Sequence, residues 1–110
     1  MPRQSSPSTL FGRRLRAARN RVGIPQDKLG VMIGLDEGSS SARLSRYETG
    51  IHEPPFATAL NLAEVLEVPA AYFYCEDDRL AEFLVQYESL DAGRRQRLLD
   101  LAAELHAQMG

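Results

Sequence analysis

Apolar residues recur at helical spacing along almost the whole chain, and no run alternates apolar and polar positions as a half-buried strand does. Phe11, Leu15, Ala18 and Val22 share one face of a helix predicted to begin near Ser8 or Thr9 and to reach about Arg21. Arg13, Arg14, Arg16 and Arg21 fall largely on its other faces, and Gly23 is its stop signal. A shorter helix, predicted from Gln26 to Ile33, turns Leu29 and Ile33 inward and is broken by Gly34. Asp27 lies in its first turn, where the helix dipole favours a carboxylate. Asp36-Glu37-Gly38-Ser39 then reads as a polar turn, after which Ser40 is expected to cap a third helix from Ser41 to Thr49. Leu44 and Tyr47 face inward on that helix, and Gly50 ends it. Pro54-Pro55 opens a fourth helix reaching about Glu67, with Phe56, Ala59, Leu60, Ala63 and Leu66 as its apolar face and Leu62 and Val65 off it. A short helical turn from Pro69 to Tyr74 is expected to plug Phe73 into the core. Beyond the charged joint Glu76-Asp77-Asp78, two further helices follow. One spans Arg79 to Glu88 with Leu80, Phe83, Leu84 and Tyr87 in a stripe. The other is capped by Asp91 and carries Leu98, Leu101, Ala102 and Leu105.

The expectation is therefore an all-α protein. Its 110 residues fit one compact unit, and with four Phe, four Tyr and no Trp the core is expected to be mostly Leu, Val, Ile and Ala. No stretch approaches the roughly 20 apolar residues of a membrane span, so no membrane partner is expected. Met1 to Thr9 is polar, contains Pro2 and Pro7, and lacks the apolar run of an export signal. Residues 1–8 read as a flexible arm. Cys75 is the single cysteine, which excludes an internal disulfide and suits a reducing cytoplasm. The net charge of −2 hides an asymmetry. Residues 1–55 hold nine Lys or Arg against five acids, and residues 56–110 hold four against ten. A basic half beside an acidic half suggests one face for nucleic acid and another for a different partner.

The specific signal lies between Gln26 and Gly50. Two short helices that cross steeply around a tight turn need a small residue where they touch, a residue tolerant of positive φ in the turn, and apolar inner faces. Gly30, Gly34, and the set Leu29, Ile33, Leu35, Leu44 and Tyr47 meet those needs in order. The outer face of the second of these helices stays polar and short-chained at Ser41, Ala42, Ser45 and Arg46, as entry into a DNA major groove requires.

The ordered series Phe11-Gly12-x-x-Leu15-Arg16-x-x-Arg19, Gly23-Ile24-Pro25-Gln26-x-x-Leu29-Gly30 and Ile33-Gly34-Leu35 continues as Ser40-x-x-x-Leu44-Ser45-x-Tyr47-Glu48-x-Gly50, then Pro54 and Leu60-x-Leu62-Ala63-x-x-Leu66-x-Val68. Over residues 10–74 this resembles the phage repressor and Cro-like family, also called the XRE family. The resemblance implies a five-helix lambda-repressor-like helix-turn-helix domain at 9–75. The 76–110 extension, with two extra helices, is then the expected dimerisation element.

The resemblance also implies roles. Gln26 matches a phosphate-contacting, orienting glutamine at a helix start, where backbone N–H groups favour phosphate. Ser41, Ala42, Ser45 and Arg46 match base-reading positions. Arg46 is the strongest candidate for sequence readout, because a guanidinium pairs with guanine O6 and N7. Ser40 and Arg43 are expected on phosphates, and Lys28 joins the DNA-contacting set. Arg19 and Glu48 match an ion pair that joins the first and third helices. Three departures stand out. Asp36-Glu37-Gly38-Ser39 is a four-residue insertion that brings two carboxylates towards the expected DNA surface. Ile51-His52-Glu53 replaces basic residues that grip the backbone, which predicts a modest salt dependence. Pro25 replaces a hydroxyl cap, and Glu67 a glycine helix stop.

No catalytic constellation is visible, so no enzyme is expected, and no cofactor or metal. His52 and His106 are isolated, Cys75 lacks a ligand partner, and Arg94, Arg95 and Arg97 read as a solvated helix face. The tail stripes either close over the same core or pair with a second copy. The leading functional reading is a repressor that binds double-stranded DNA as a homodimer through residues 79–108. The alternative is an antitoxin-like adaptor whose acidic half binds a protein.

Overall fold

The computed structural model describes residues 9–110 and is helical throughout, with no strand among them. The helices are α1 (Leu10–Val22), α2 (Gln26–Met32), α3 (Glu37–Thr49), α4 (Phe56–Leu66), a 3-10 turn (Ala70–Tyr74), α5 (Asp78–Ser89) and α6 (Ala92–Gln108). The arm expected at 1–8 lies outside the described residues.

Local chemistry sets most of the boundaries. The Thr9 hydroxyl accepts from the Gly12 N–H at 3.0 Å and opens α1. The Asp77 carboxylate accepts from the Arg79 and Leu80 N–H groups and opens α5, and Asp91 accepts from Arg94 to open α6. Pro25 and Pro55 precede α2 and α4 without a side-chain cap. At the other end of α4, Glu67 takes the left-handed conformation, φ 58°, that a glycine holds without strain.

Phe11, Leu15, Ala18, Leu29, Leu44, Tyr47, Ala59, Leu62, Ala63, Leu66, Val68, Tyr72, Phe73 and Ala81 form one core. Phe73 is fully enclosed, with its ring 4.9 Å from that of Phe11. Leu84 and Val85 of α5 lean on this core from outside.

The structure corrects three sequence expectations and narrows a fourth that stood open. The Asp36–Ser39 stretch is not a linker: α3 begins at Glu37, and the Ser39 N–H reaches the Asp36 carbonyl at 3.0 Å. The insertion therefore adds a helical turn. Gly38 looked like a breaker, but it sits in open space inside that turn, where helix costs only about 1 kcal/mol relative to alanine. On α4 the buried face is Ala59, Leu62, Ala63 and Leu66, whereas Phe56 and Leu60 are exposed, because the helix is rotated to present Leu62 to the core. Arg14 is not on a wet face. It is buried, donates to the Cys75 carbonyl from Nε at 3.0 Å and Nη2 at 2.7 Å, and pairs with Asp78 at 2.9 Å, tying α1 to the start of α5. Finally, the tail does not fold back as a whole: α5 buries Ala81, but α6 buries nothing and extends the molecule to 54 × 25 × 25 Å.

Candidate nucleic-acid interface

The interface is built on the crossing of α2 and α3. Gly30 lies where they touch: a Cβ there would fall 1.9 Å from the Ser40 Oγ and 2.8 Å from its Cβ. Gly34 turns the chain at φ 96°. Ser40 is fully buried and its hydroxyl donates to the Asp27 carbonyl. This corrects its expected role, since a side chain sealed between α2 and α3 has no access to phosphate.

The inner face of α3 is Ser40, Leu44, Tyr47 and Glu48. At 100° per residue, Ala42, Ser45 and Arg46 point away from it, with Ser41 and Arg43 on the flanks. Ser41, Ala42, Arg43 and Arg46 are exposed, and Ser45 is half-buried. Lys28 of α2 is exposed on the adjoining surface. Among the described residues, Arg43, Arg46 and Lys28 form no ion pair within the chain. Arg43, Arg46, His52 and Glu53 border a shallow depression of about 330 Å³, so a carboxylate stands next to the two arginines.

Beneath this face sits a charged hub. The Glu48 carboxylate is fully buried and accepts from Arg19 Nε at 2.5 Å and Nη2 at 3.1 Å, from Arg16 Nε at 3.0 Å, and from Gln26 Nε2 at 3.1 Å. Burial alone would raise its pKa. The hydrogen bonds from Arg19 and Arg16, the charge of Arg19 and the Gln26 bond outweigh that and hold it below the ordinary carboxyl value. The Arg19–Glu48 pair was legible in the sequence, and the parts played by Arg16 and Gln26 were not. The Gln26 amide that was expected to meet phosphate is here turned to Glu48, with its side chain half-buried. No local signal marks these contacts, because the partners stand 22 to 32 residues apart.

No cluster of three or more metal-ligating residues occurs among the described residues, and no helix there is long and apolar enough to cross a membrane.

Two helices in close contact across Gly30, the second with an exposed, short-chained face that carries Arg46, define a helix-turn-helix DNA-binding domain. Residues 10–72 match the family model described as a helix-turn-helix domain, and the chain belongs to that family. It is similar to uncharacterised HTH-type transcriptional regulators of Sinorhizobium medicae and Rhizobium meliloti, each 29% identical over 63 residues, 57% of this chain. The matched stretch covers only 42% of the length of those relatives. It is also similar to the crystal structure of the transcriptional regulator BswR, with 43% identity and a TM-score of 0.84 across 90% of this chain and 98% of that one. That coverage exceeds the family match, so the likeness reaches into the C-terminal helices.

Proposed function

We propose that this chain is a DNA-binding transcription regulator of the repressor and Cro-like type that acts as a homodimer on a two-fold-related operator and represses by occupying a promoter. The observation that carries the reading is the outer face of α3. Arg43 and Arg46 are exposed there and form no ion pair among the described residues, beside small side chains that let the helix backbone approach base edges. In this reading Arg46 pairs with guanine, Ser41, Ala42 and Ser45 line the groove, and Arg43, Lys28 and Gln26 hold phosphates. Gln26 would exchange its bond to Glu48 for phosphate, or hold both through its two amide hydrogens. Residues 9–75 form the reading domain and 76–110 the dimerisation element. The protein works in the cytoplasm, beside the DNA it regulates, and without catalysis.

A single recognition helix contacts too few base pairs for a genomic address, so two copies reading half-sites about 34–36 Å apart are needed. Selection of bound fragments from random duplex DNA tests the reading. A two-fold-symmetric motif with half-sites about one helical turn apart is expected; no enrichment at low salt refutes it.

A second reading, an adaptor that binds a basic protein, is favoured by the acidic half and by the uncovered α6. Capture of a basic protein in place of any duplex in the same selection would favour it.

A further inference from the structure

The α6 helix carries no buried residue, and Leu99, Leu101 and Leu105 each keep about half of their surface exposed. At 17 residues it spans about 25 Å, only a little beyond the roughly 12–15 residues below which an isolated helix is marginal in water. Its stabilisers are few: the Asp91 cap, the Arg94–Asp91 ion pair, the Gln96–Asp100 hydrogen bond, and Arg95, which donates to the Tyr87 and Glu88 carbonyls at the end of α5 and lies over the Tyr87 ring.

Along one side of α6, Arg94, Leu98, Leu101, Leu105 and Gln108 follow each other at spacings of four, three, four and three. That is the repeat of a two-stranded coiled-coil seam, with leucine at its three central positions. Arg97 and Glu104 flank the seam on the same side, seven residues apart. Neither has an ion pair within the chain among the described residues, whereas Arg94 and Arg95 pair with Asp91 and Glu88. Leu90, Arg94, Arg97, Leu98 and Leu101 line an open trough of about 420 Å³ beside the seam.

We infer that α6 pairs with α6 of a second copy in antiparallel orientation, with Leu98 against Leu101 of the second copy and Arg97 against its Glu104. The charge pattern selects the direction. In a parallel pair Arg97 sits at the level of the other Arg97, and Glu104 at that of the other Glu104. In an antiparallel pair each Arg97 meets a Glu104, twice per dimer by symmetry. Opposed helix dipoles favour the same direction. A leucine seam between flanking charges matches a copy of itself more closely than it matches a basic partner, which would leave Arg97 opposed by like charge. The inference rests on the homodimer reading above and gives it a geometry.

Cysteine cross-linking in a Cys75→Ala background tests it. Chains carrying Arg94→Cys and chains carrying Leu105→Cys are oxidised alone and as an equimolar mixture. A disulfide dimer that forms in the mixture and in neither chain alone is expected. Cross-linking of each chain with itself would establish parallel pairing and overturn the inference while leaving the homodimer standing. Charge reversal gives an independent readout by sedimentation. Arg97→Glu or Glu104→Arg alone should weaken the dimer roughly five- to tenfold, since two pairs turn from attraction to repulsion, and the double reversal should restore it. Single and double reversals of equal effect would overturn the inference. A wild-type chain that sediments as a monomer at tens of micromolar would overturn both the antiparallel pair and the homodimer. None of these outcomes depends on DNA.

Discussion

Leu15, Leu29, Leu44, Leu62 and Leu66 are fully enclosed, whereas Leu99, Leu101 and Leu105 are 50%, 48% and 52% exposed. The same residue type, at the same helical spacing, serves two purposes in one chain. In the region from α1 to the 3-10 turn, five helical segments wrap one core, and Arg16, Arg19 and Glu48 face inward on one another. In α6 the core is already saturated. No described residue covers its apolar stripe, and its charges are held locally or, among the described residues, form no ion pair. Stability in the first region comes from tertiary burial and a shared carboxylate; order in the second depends on the Asp91 cap and on Arg95, which holds α6 to the end of α5.

The sharpest way to probe that contrast is Glu48→Ala. It leaves Arg19 and Arg16 desolvated without a counter-charge and should cost about 3–5 kcal/mol in urea unfolding. The Glu48 carboxyl has a folded pKa below its unfolded one, so its stabilisation is complete above the ordinary value of 4.5 and is lost as pH falls through the lower folded value. An unfolding midpoint that declines over this acid range in the wild type, and more shallowly in Glu48→Gln, is the expected signature. Gly30→Ala comes next. The new Cβ meets Ser40 inside van der Waals contact, so a loss of about 1–3 kcal/mol is expected, while Gly38→Ala, in the open first turn of α3, should be neutral or stabilising. Equal effects at the two glycines would deny the close crossing of α2 and α3. Relief of strain should be smaller: Glu67→Gly should raise the thermal midpoint by an amount equivalent to about 0.5–1 kcal/mol, the relief of the left-handed backbone exceeding glycine's greater unfolded-state freedom. Smallest of all is the paired change Leu101→Ser and Leu105→Ser. Unfolding of the N-terminal core, followed by near-ultraviolet circular dichroism of its tyrosines at concentrations below self-association, should shift by no more than about 0.5 kcal/mol. A large shift would mean that α6 supports the core after all.

Much of the first region was legible in the sequence because its signals are local. Thr9, Gly23 and Gly50 mark helix ends by backbone chemistry, and Phe11, Leu15 and Ala18 mark a buried face by spacing. The motif from Gln26 to Gly50 identified the crossing helices, since Gly30 and Gly34 are demanded by contact and by φ. Two kinds of feature were hidden. Arg14 and Gln26 find their partners far along the chain, so their spacing gave no warning that they turn inward. On α4 two apolar stripes overlap, and spacing alone could not choose between the face with Leu60 and the face with Leu62. The Asp36–Ser39 stretch misled for a third reason: glycine and serine are turn formers by preference, but a turn at the front of an existing helix needs only compatible φ and ψ. Its consequence for the site is that α3 starts a turn earlier, which places Ser40 inside the helix, where contact with Gly30 and Asp27 seals it.

The central claim is that the outer face of α3 reads base edges through Arg46 and holds phosphate through Arg43. Fluorescence anisotropy titration of the duplex recovered by selection, and of the same duplex with each guanine of a half-site replaced, tests it most directly. The account predicts that Arg46→Ala abolishes a preference of about 1–3 kcal/mol at one guanine, and that Arg43→Ala weakens every duplex alike and flattens the salt dependence. Binding that neither substitution alters would contradict it.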